Sequence, residues 1–265
     1  MMKLRIATYN IHKGVSSVGG LPRVHDLKKS MSLLAADVIF LQEVQGRHDW
    51  LALSQSREWP DEAQHEFLAG EYHHSAYGKN AVYNHGHHGN ALLSAYPIIS
   101  QDNHDISDHA LESRGLLHCI LQTPETKVHC YVVHLGLLEG SRRRQTQMLI
   151  DNVSRTAPKN EPIIIAGDFN DWGNHLSDDI RDALDVKEVF DSNPPKKGVG
   201  SYLRRLTGRM PKPQPARTFP AAFPFFPLDR IYVRGFRVDA ATVMHGRRWA
   251  KVSDHAPIVA SLTME

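Results

Sequence analysis

Apolar residues recur along this chain in two rhythms. Lys3 to Ile11 and Asp37 to Val44 read as strands, the second a near-continuous apolar run of the kind buried on both faces. Between them, Val24, Leu27, Met31 and Leu34 fall at helical spacing behind Pro22 and predict an amphipathic helix. The three segments form a strand-helix-strand unit whose strands are expected to be neighbours and to end in Asn10 and Glu43.

Residues 46–71 are mixed and read as helical, and residues 89–94 and 115–121 resume strand character. Lys127 to Leu135 is the return strand of a hairpin turning at Pro124-Glu125-Thr126, which sets Cys119 across from Cys130. Ser141 is expected to cap a helix running to about Arg155, with Met148, Leu149 and Val153 inward. Pro162 to Ala166 then forms a buried strand that runs into Gly167-Asp168-Phe169-Asn170. Closing strands are expected near Arg230 to Val233, Ala240 to Met244 and Ala256 to Leu262. Strands alternating with helices predict an α/β architecture of three or four layers.

Two stretches break the pattern. Tyr72 to His88 carries His73, His74, His85, His87 and His88 at spacings that match no zinc motif, and reads as a histidine-rich rim loop. From 193 to 217 there are seven basic residues and no acid, followed by a proline-broken run with Phe219, Phe223, Phe225 and Phe226. We read 193–227 as a basic, Pro-rich surface excursion of a single domain spanning 1–265.

Composition adds limits more than direction. With 265 residues, 41% of them hydrophobic, the chain can bury a substantial core. Its 31 Lys+Arg against 29 Asp+Glu give a net charge of +2, too small to imply a polyanionic partner without local clustering. Met1 to Ile6 leads straight into a strand, and no run approaches membrane-spanning length, so no transmembrane segment and a cytoplasmic location are expected. Two cysteines make no disulfide framework and are expected to be reduced.

The polar residues at the strand ends carry the chemistry: Asn10, Glu43, His134, Asp168, Asn170, Asp229, Asp254 and His255. Several carboxylates can hold a hard divalent cation, His and Asn can donate to phosphate oxygens, and a further Asp can orient water. The set points to phosphodiester chemistry.

Here the chain resembles a known family. Thr8-Tyr9-Asn10-Ile11, Leu41-Gln42-Glu43-Val44, Val133-His134-Leu135, Gly167-Asp168-Phe169-Asn170, Leu228-Asp229-Arg230-Ile231 and Ser253-Asp254-His255-Ala256-Pro257 are similar, in order, to the motifs of the endonuclease/exonuclease/phosphatase (deoxyribonuclease I-like) superfamily. Within it, the Asn10 to Gly14 opening resembles small bacterial members of undefined substrate. The resemblance implies a four-layer α/β sandwich, two mixed sheets packed face to face and flanked by helices, and metal-dependent phosphoester hydrolysis.

Carried onto these positions, the resemblance makes Glu43 the principal Mg²⁺ ligand, Mn²⁺ being a possible substitute, with Asn10 beside the metal and Asp254 on the metal side. Asp168 orients or deprotonates water, and Asn170 holds a phosphate oxygen. His255 contacts the scissile phosphate, with Asp229 fixing its tautomer, and His134 helps neutralise phosphate or leaving group. Arg114 and Asn90 match phosphate-facing positions. Two departures bear on substrate contacts: Arg230 follows Asp229 where an aromatic is frequent, and Val132-Val133 precedes His134 where Asn-Thr is frequent.

The leading expectation is a nuclease-type phosphodiesterase acting on DNA or RNA, supported by the basic excursion. The alternative is a phosphodiesterase or phosphatase acting on a phospholipid or a soluble phosphoester, with peripheral contact to an anionic membrane through the Phe-rich run. A non-catalytic phosphate-binding protein ranks last. Oligomeric state is left open.

Overall fold

The computed structural model describes residues 1–17, 19–54, 58–110, 112–191 and 215–265. Among them twelve strands form two six-stranded sheets. The strands, in chain order, begin with β1 (Lys3–Asn10), β2 (Val38–His48), β3 (His74–Tyr83), β4 (Gly86–Ser94), β5 (Ile98–Asp105) and β6 (Gly115–Gln122). They continue with β7 (Lys127–His134), β8 (Ile163–Asp168), β9 (Lys187–Glu188), β10 (Asp229–Arg234), β11 (Phe236–Val243) and β12 (Ile258–Met264). One sheet has the order β11-β12-β1-β2-β4-β3, the other β5-β6-β7-β8-β10-β9. Each is mixed, with one parallel pair, β1–β2 or β7–β8, joined by a helical crossover.

Alternation in the strands builds the layers. Leu4, Ile6, Val38, Phe40 and Leu92 from one sheet meet Leu117, Cys119, Val132, Ile164 and Ile231 from the other in a buried core between the sheets. Tyr9, Ile39 and Leu41 face outward, under helices α1 (Val24–Met31), α3 (Gln64–Ala69) and α6 (Arg247–Val252). Tyr131, Ile163 and Ile165 do the same on the second sheet, under α4 (Glu139–Thr156) and α5 (Ser177–Leu184). The result is a four-layer α/β sandwich, as the resemblance implied. No helix among the described residues is long and apolar enough to cross a membrane.

Several local expectations are met. Val24, Leu27, Met31 and Leu34 are all buried. Cys119 pairs with Cys130 in register, and both are free and buried. Others need correction. Among the described residues of 46–71 there are two short helices, α2 (Asp49–Ser54) and α3. The helix predicted from Ser141 begins at Glu139, and the Ser141 hydroxyl donates to Asp108 Oδ2 at 2.8 Å instead of capping it. Met148 lies on the exposed side while Leu149 and Val153 face the core. The histidine-rich stretch is no loop: it forms most of the β3–β4 hairpin, at the edge of its sheet, where polar and aromatic side chains alternate with small ones. Most of the basic excursion, 192–214, lies outside the described residues.

One buried carboxyl makes a stability prediction. Glu188 in β9 accepts the Phe190 N–H at 3.0 Å, while its other oxygen has no partner. Burial holds its pKa up to about 7, against the pull of Arg230. In the unfolded chain a glutamate gives up its proton near 4.3, so between these values the native state binds more protons and stability falls as pH rises. Above about pH 7 the loss is complete. Glu188→Gln is expected to raise Tm over wild type near pH 8, corresponding to up to ~3 kcal/mol, with the gap closing near pH 4.5. A pH-independent gap in thermal unfolding would contradict this.

Candidate active site

The alternation that builds the inter-sheet core also delivers the polar residues. In β7 and β8 the inward sets run Cys130, Val132, His134 and Ile164, Ala166, Asp168; in β10 Asp229 precedes Ile231. In β1, Asn10 follows Leu4, Ile6 and Thr8 on the same face. Register then sets His134 beside Asp168, and Asp168 beside Asp229, across β7, β8 and β10. Gly167 allows this close approach: its φ is +153°, and a Cβ there would lie 1.9 Å from the Val133 carbonyl oxygen.

Glu43 arrives differently. By parity with Ile39 and Leu41 it belongs to the outer face, and β2 does not end at it as expected. A bulge between Leu41 and Val44 changes the phase, so that Val44 takes the outer face and Glu43 turns toward the cleft. Glu43 adopts φ +55°, and Asn170, His12 and Lys13 take φ of +49°, +46° and +56°. Such left-handed backbone at non-glycine residues costs roughly 1 kcal/mol or more each, and here it gathers around one cleft.

Asn10 bridges two carboxylates through its amide nitrogen, 3.1 Å from Asp168 Oδ2 and 3.4 Å from Glu43 Oε1, while its oxygen accepts the His12 N–H. The other Asp168 oxygen accepts the Asn170 N–H at 2.9 Å. Asn170 donates its side-chain amide to the Leu135 carbonyl, which leaves one amide hydrogen free. His255 Nδ1 is 2.8 Å from Asp229 Oδ2, and its Nε2 is 3.7 Å from Asp168 Oδ2. His134 Nε2 stands 3.6 Å from the same Asp168 oxygen. The Ser253 hydroxyl donates to the Asn10 carbonyl at 2.7 Å and accepts the His255 N–H, tying the segment after α6 to the end of β1.

Electrostatics divide the roles. Burial lifts the Asp168 carboxyl above the ordinary range, with the His255 charge pulling the other way. Burial opposes charge on His255, but the carboxylates of Asp229 and Asp168 outweigh it and hold its pKa above the ordinary value. Burial, reinforced by Arg114, keeps His134 well below, so it is neutral. The two histidines therefore stand in different protonation states on either side of one carboxylate.

The remaining predicted residues lie at the periphery. Asp254 pairs with His12 Nδ1 at 3.2 Å. Burial alone would raise the Asp254 pKa, but His12 outweighs it and the net shift is downward. Arg114 Nε is buried, makes no hydrogen bond and stands 3.8 Å from Glu112, and the residue borders an open cavity of about 520 Å³. Asn90 sits deeper, donating to the Gly115 and Val132 carbonyls across the two sheets, so both of its amide hydrogens are used within the protein. Arg230 is a buried strut whose guanidinium binds the Asp229 carbonyl at 3.1 Å and the Asn174 side chain at 3.4 Å.

Four residues beside the site carry no site role in the sequence motifs: His12, Lys13, His88 and Phe219. His12 and Lys13 lie in the quoted Asn10 to Gly14 segment, and Lys13 Nζ reaches to 4.0 Å of Glu43. His88 sits on the same face of β4 as Asn90, and Glu43, Lys13 and Arg114 act on it electrostatically. Phe219 covers the ring of His255 with centroids 5.0 Å apart.

The donor set suits a hard divalent cation. Asp168, Asp229 and His255 offer ligand atoms all within 4.8 Å of one another. Distance alone would let them share an ion, yet His255 Nδ1 is committed to Asp229 and the ring is held charged, which leaves it no lone pair to donate. Glu43, half-buried and hydrogen-bonded only weakly, is the carboxylate better placed to take the ion, and the unpartnered buried Asp229 Oδ1 offers a further acceptor nearby.

Comparison with known proteins bears on the family and the fold. A model described as the Endonuclease/Exonuclease/phosphatase family matches residues 7–255. The Escherichia coli (strain K12) protein YbhP, itself described as uncharacterized, is 39% identical over 261 residues, covering 97% of this chain and 95% of that protein. Among solved structures, the Bacteroides vulgatus endonuclease/exonuclease/phosphatase superimposes with TM-score 0.73 at 15% identity, covering 100% of both chains. The human Nocturnin catalytic domain with a bound sulfate anion gives 0.69 at 18% identity, covering 99% of this chain and 95% of that one.

Proposed function

Because the chain belongs to the endonuclease/exonuclease/phosphatase family, whose members are generally metal-dependent phosphoester hydrolases, we propose that it is a Mg²⁺-dependent phosphodiesterase working by direct attack of water on phosphorus. The observation that carries this reading is the buried row His134, Asp168, Asp229 with His255 charged against it.

In this proposal Asp168 takes the proton of the attacking water. The Asn10 and Asn170 hydrogen bonds fix its carboxylate plane and leave lone pairs facing the cleft. His255, held by Asp229 through Nδ1, presents Nε2–H to a phosphate oxygen and stabilises the charge that grows there. Neutral His134 donates or accepts at the same phosphate without adding charge beside Asp168. Arg114 and the free amide hydrogen of Asn170 hold the remaining phosphate oxygens, while Asn90 positions the strands behind them. A divalent ion held by Glu43, with Asn10 and Asp254 beside it, would neutralise the phosphate and stabilise the leaving oxygen.

Two substrate classes follow from different observations. The basic run 193–217 favours nucleic acid, and the apolar residues around the cleft favour a lipid diester. A panel separates them: bis-p-nitrophenyl phosphate against the monoester, then DNA, RNA and phospholipid, each with Mg²⁺ and with Mn²⁺. Hydrolysis of the diester that stops with EDTA and returns with Mg²⁺ is expected. Glu43→Gln should raise the Mg²⁺ needed for half-maximal rate by about 10- to 100-fold, and weaken Mn²⁺ binding read by electron paramagnetic resonance. An unchanged Mg²⁺ requirement would remove Glu43 from the metal site.

A further inference from the structure

We propose that the mouth of the cleft is a docking surface for an anionic lipid bilayer, so that the diester presented to the site is one in a lipid headgroup. The catalytic part of this statement rests on the function proposed above; the binding part does not.

Five large apolar side chains stand out of the protein beside the site: Leu137 at 64% exposure, Leu138 at 62%, Trp172 at 39%, Phe223 at 77% and Phe225 at 45%. They come from three segments that the structure joins. The Leu135 carbonyl, just before the leucines, accepts from Asn170. The turn after Asn170 carries Trp172, and its His175 stands 3.7 Å from Glu139, next to Leu138. Trp172 then meets Phe226 edge-on with centroids 4.7 Å apart, and Phe225 packs on Phe226. Phe219 in the same loop lies on His255, and the Ala221 N–H donates to the Asp254 carbonyl at 2.6 Å. The apolar rim is therefore built directly onto the catalytic segment.

Cations border it. Arg217 opens the loop that bears Phe223 and Phe225, and Arg247, Arg248 and Lys251 lie on α6, the helix that runs into Ser253-Asp254-His255. All but Trp249 and Val252 of that helix point away from the core. Among the described residues none of these four cations has an ion pair or side-chain hydrogen bond. The one exposed acid among the leucines, Glu139, is answered by Arg143 at 2.9 Å. Exposed aromatic and aliphatic side chains flanked by unpaired cations are what an anionic interface recognises.

The chemistry disfavours the other occupants. Like-charged copies of the chain would bring these arginines together. Single-stranded nucleic acid binds by laying successive bases on open ring faces. Leu137 and Leu138 have no rings, and Trp172 and Phe225 already engage Phe226, which leaves Phe223 as a single open ring and no row of them.

Vesicle flotation tests the proposal, using the full chain and phosphatidylcholine vesicles with or without phosphatidylglycerol. Binding only to the anionic vesicles, weakened by salt, is expected. The exposed pair Leu138→Ser with Phe223→Ser should lower the partition coefficient roughly tenfold or more, and Arg217→Gln with Arg248→Gln should lower it for anionic vesicles. Turnover of soluble bis-p-nitrophenyl phosphate should stay as in wild type in these variants, whereas Asp168→Asn should abolish turnover and leave flotation intact. Absence of binding to anionic vesicles, binding indifferent to the Leu138/Phe223 pair, or single-stranded DNA bound through these same side chains in place of vesicles would each overturn it.

Discussion

Asp168→Asn is expected to lower kcat on a soluble phosphodiester by about 10³- to 10⁴-fold, with KM little changed, because it removes the proton acceptor and keeps the shape. The same substitution should change Tm little, the relief of a buried charge offsetting one lost hydrogen bond. Asp168 is buried, and burial is the chief force lifting its pKa, so its ionised form is a cost to folding that the amide avoids. Asn170 N–H can still donate to the amide oxygen, as it now does to Oδ1 at 2.9 Å, but the new amide nitrogen takes the Oδ2 position that now accepts from Asn10 at 3.1 Å, so that one hydrogen bond is lost. The wild-type rate should fall on the acid side as pH drops through the raised Asp168 pKa, above the ordinary aspartate range. Stability should move the other way, rising as that carboxyl takes up its proton. An acid limb within the ordinary aspartate range, or a large loss of Tm in Asp168→Asn, would contradict the assignment.

Asp229→Asn should reduce kcat by about 10²- to 10⁴-fold through His255, the range expected when a buried carboxylate that orients a histidine is lost. Burial works against the His255 cation, and the Asp229 carboxylate leads the interactions that overcome it. Without it the ring pKa drops, and a rate that depends on the imidazolium falls away on the alkaline side at lower pH than in wild type. Activity of Asp229→Asn should thus recover in part as pH is lowered. In wild type the raised His255 pKa stabilises the fold fully below the unfolded value near 6.5, and that contribution is lost as pH rises through the folded value. His255→Gln should be at least as damaging, and the double variant little worse than His255→Gln alone, since the two act as one unit. Additive losses would show that Asp229 acts independently.

Much of this site was legible because it extends the strand alternation. His134 and Asp168 sit two residues after an apolar residue of the inter-sheet core and Asp229 two residues before one, so the period that locates the strand also aims the polar side chain. Glu43 shows where that logic stops. Its parity places it under the helices, and only a bulge and a left-handed backbone, which no apolar pattern encodes, turn it into the cleft. The β3–β4 hairpin was hidden for a different reason. It lies at a sheet edge, its side chains are largely polar, and its stability comes from pairing with β2, a long-range contact that local spacing does not reveal. Reading it as a loop also hid His88. Ser141 misled because Asp108, far away in sequence, competes for its hydroxyl.

The Phe-rich run was visible from the start, but its meaning depended on neighbours. Trp172 and Leu137-Leu138 join it only through the turns that follow β7 and β8, and both turns begin at residues of the proposed site, His134 and Asp168. The strand ends that assemble the chemistry therefore also assemble its apolar border.

In the proposed reaction water, deprotonated by Asp168, attacks phosphorus. Its most direct measurement is hydrolysis of bis-p-nitrophenyl phosphate with Mg²⁺ in isotopically labelled water, with wild type and Asp168→Asn side by side. The heavy oxygen is expected in the phosphorus-containing product, formed at a rate at least about 10³-fold lower in the variant. Equal rates in the two proteins, or label found in the released phenol, would contradict it.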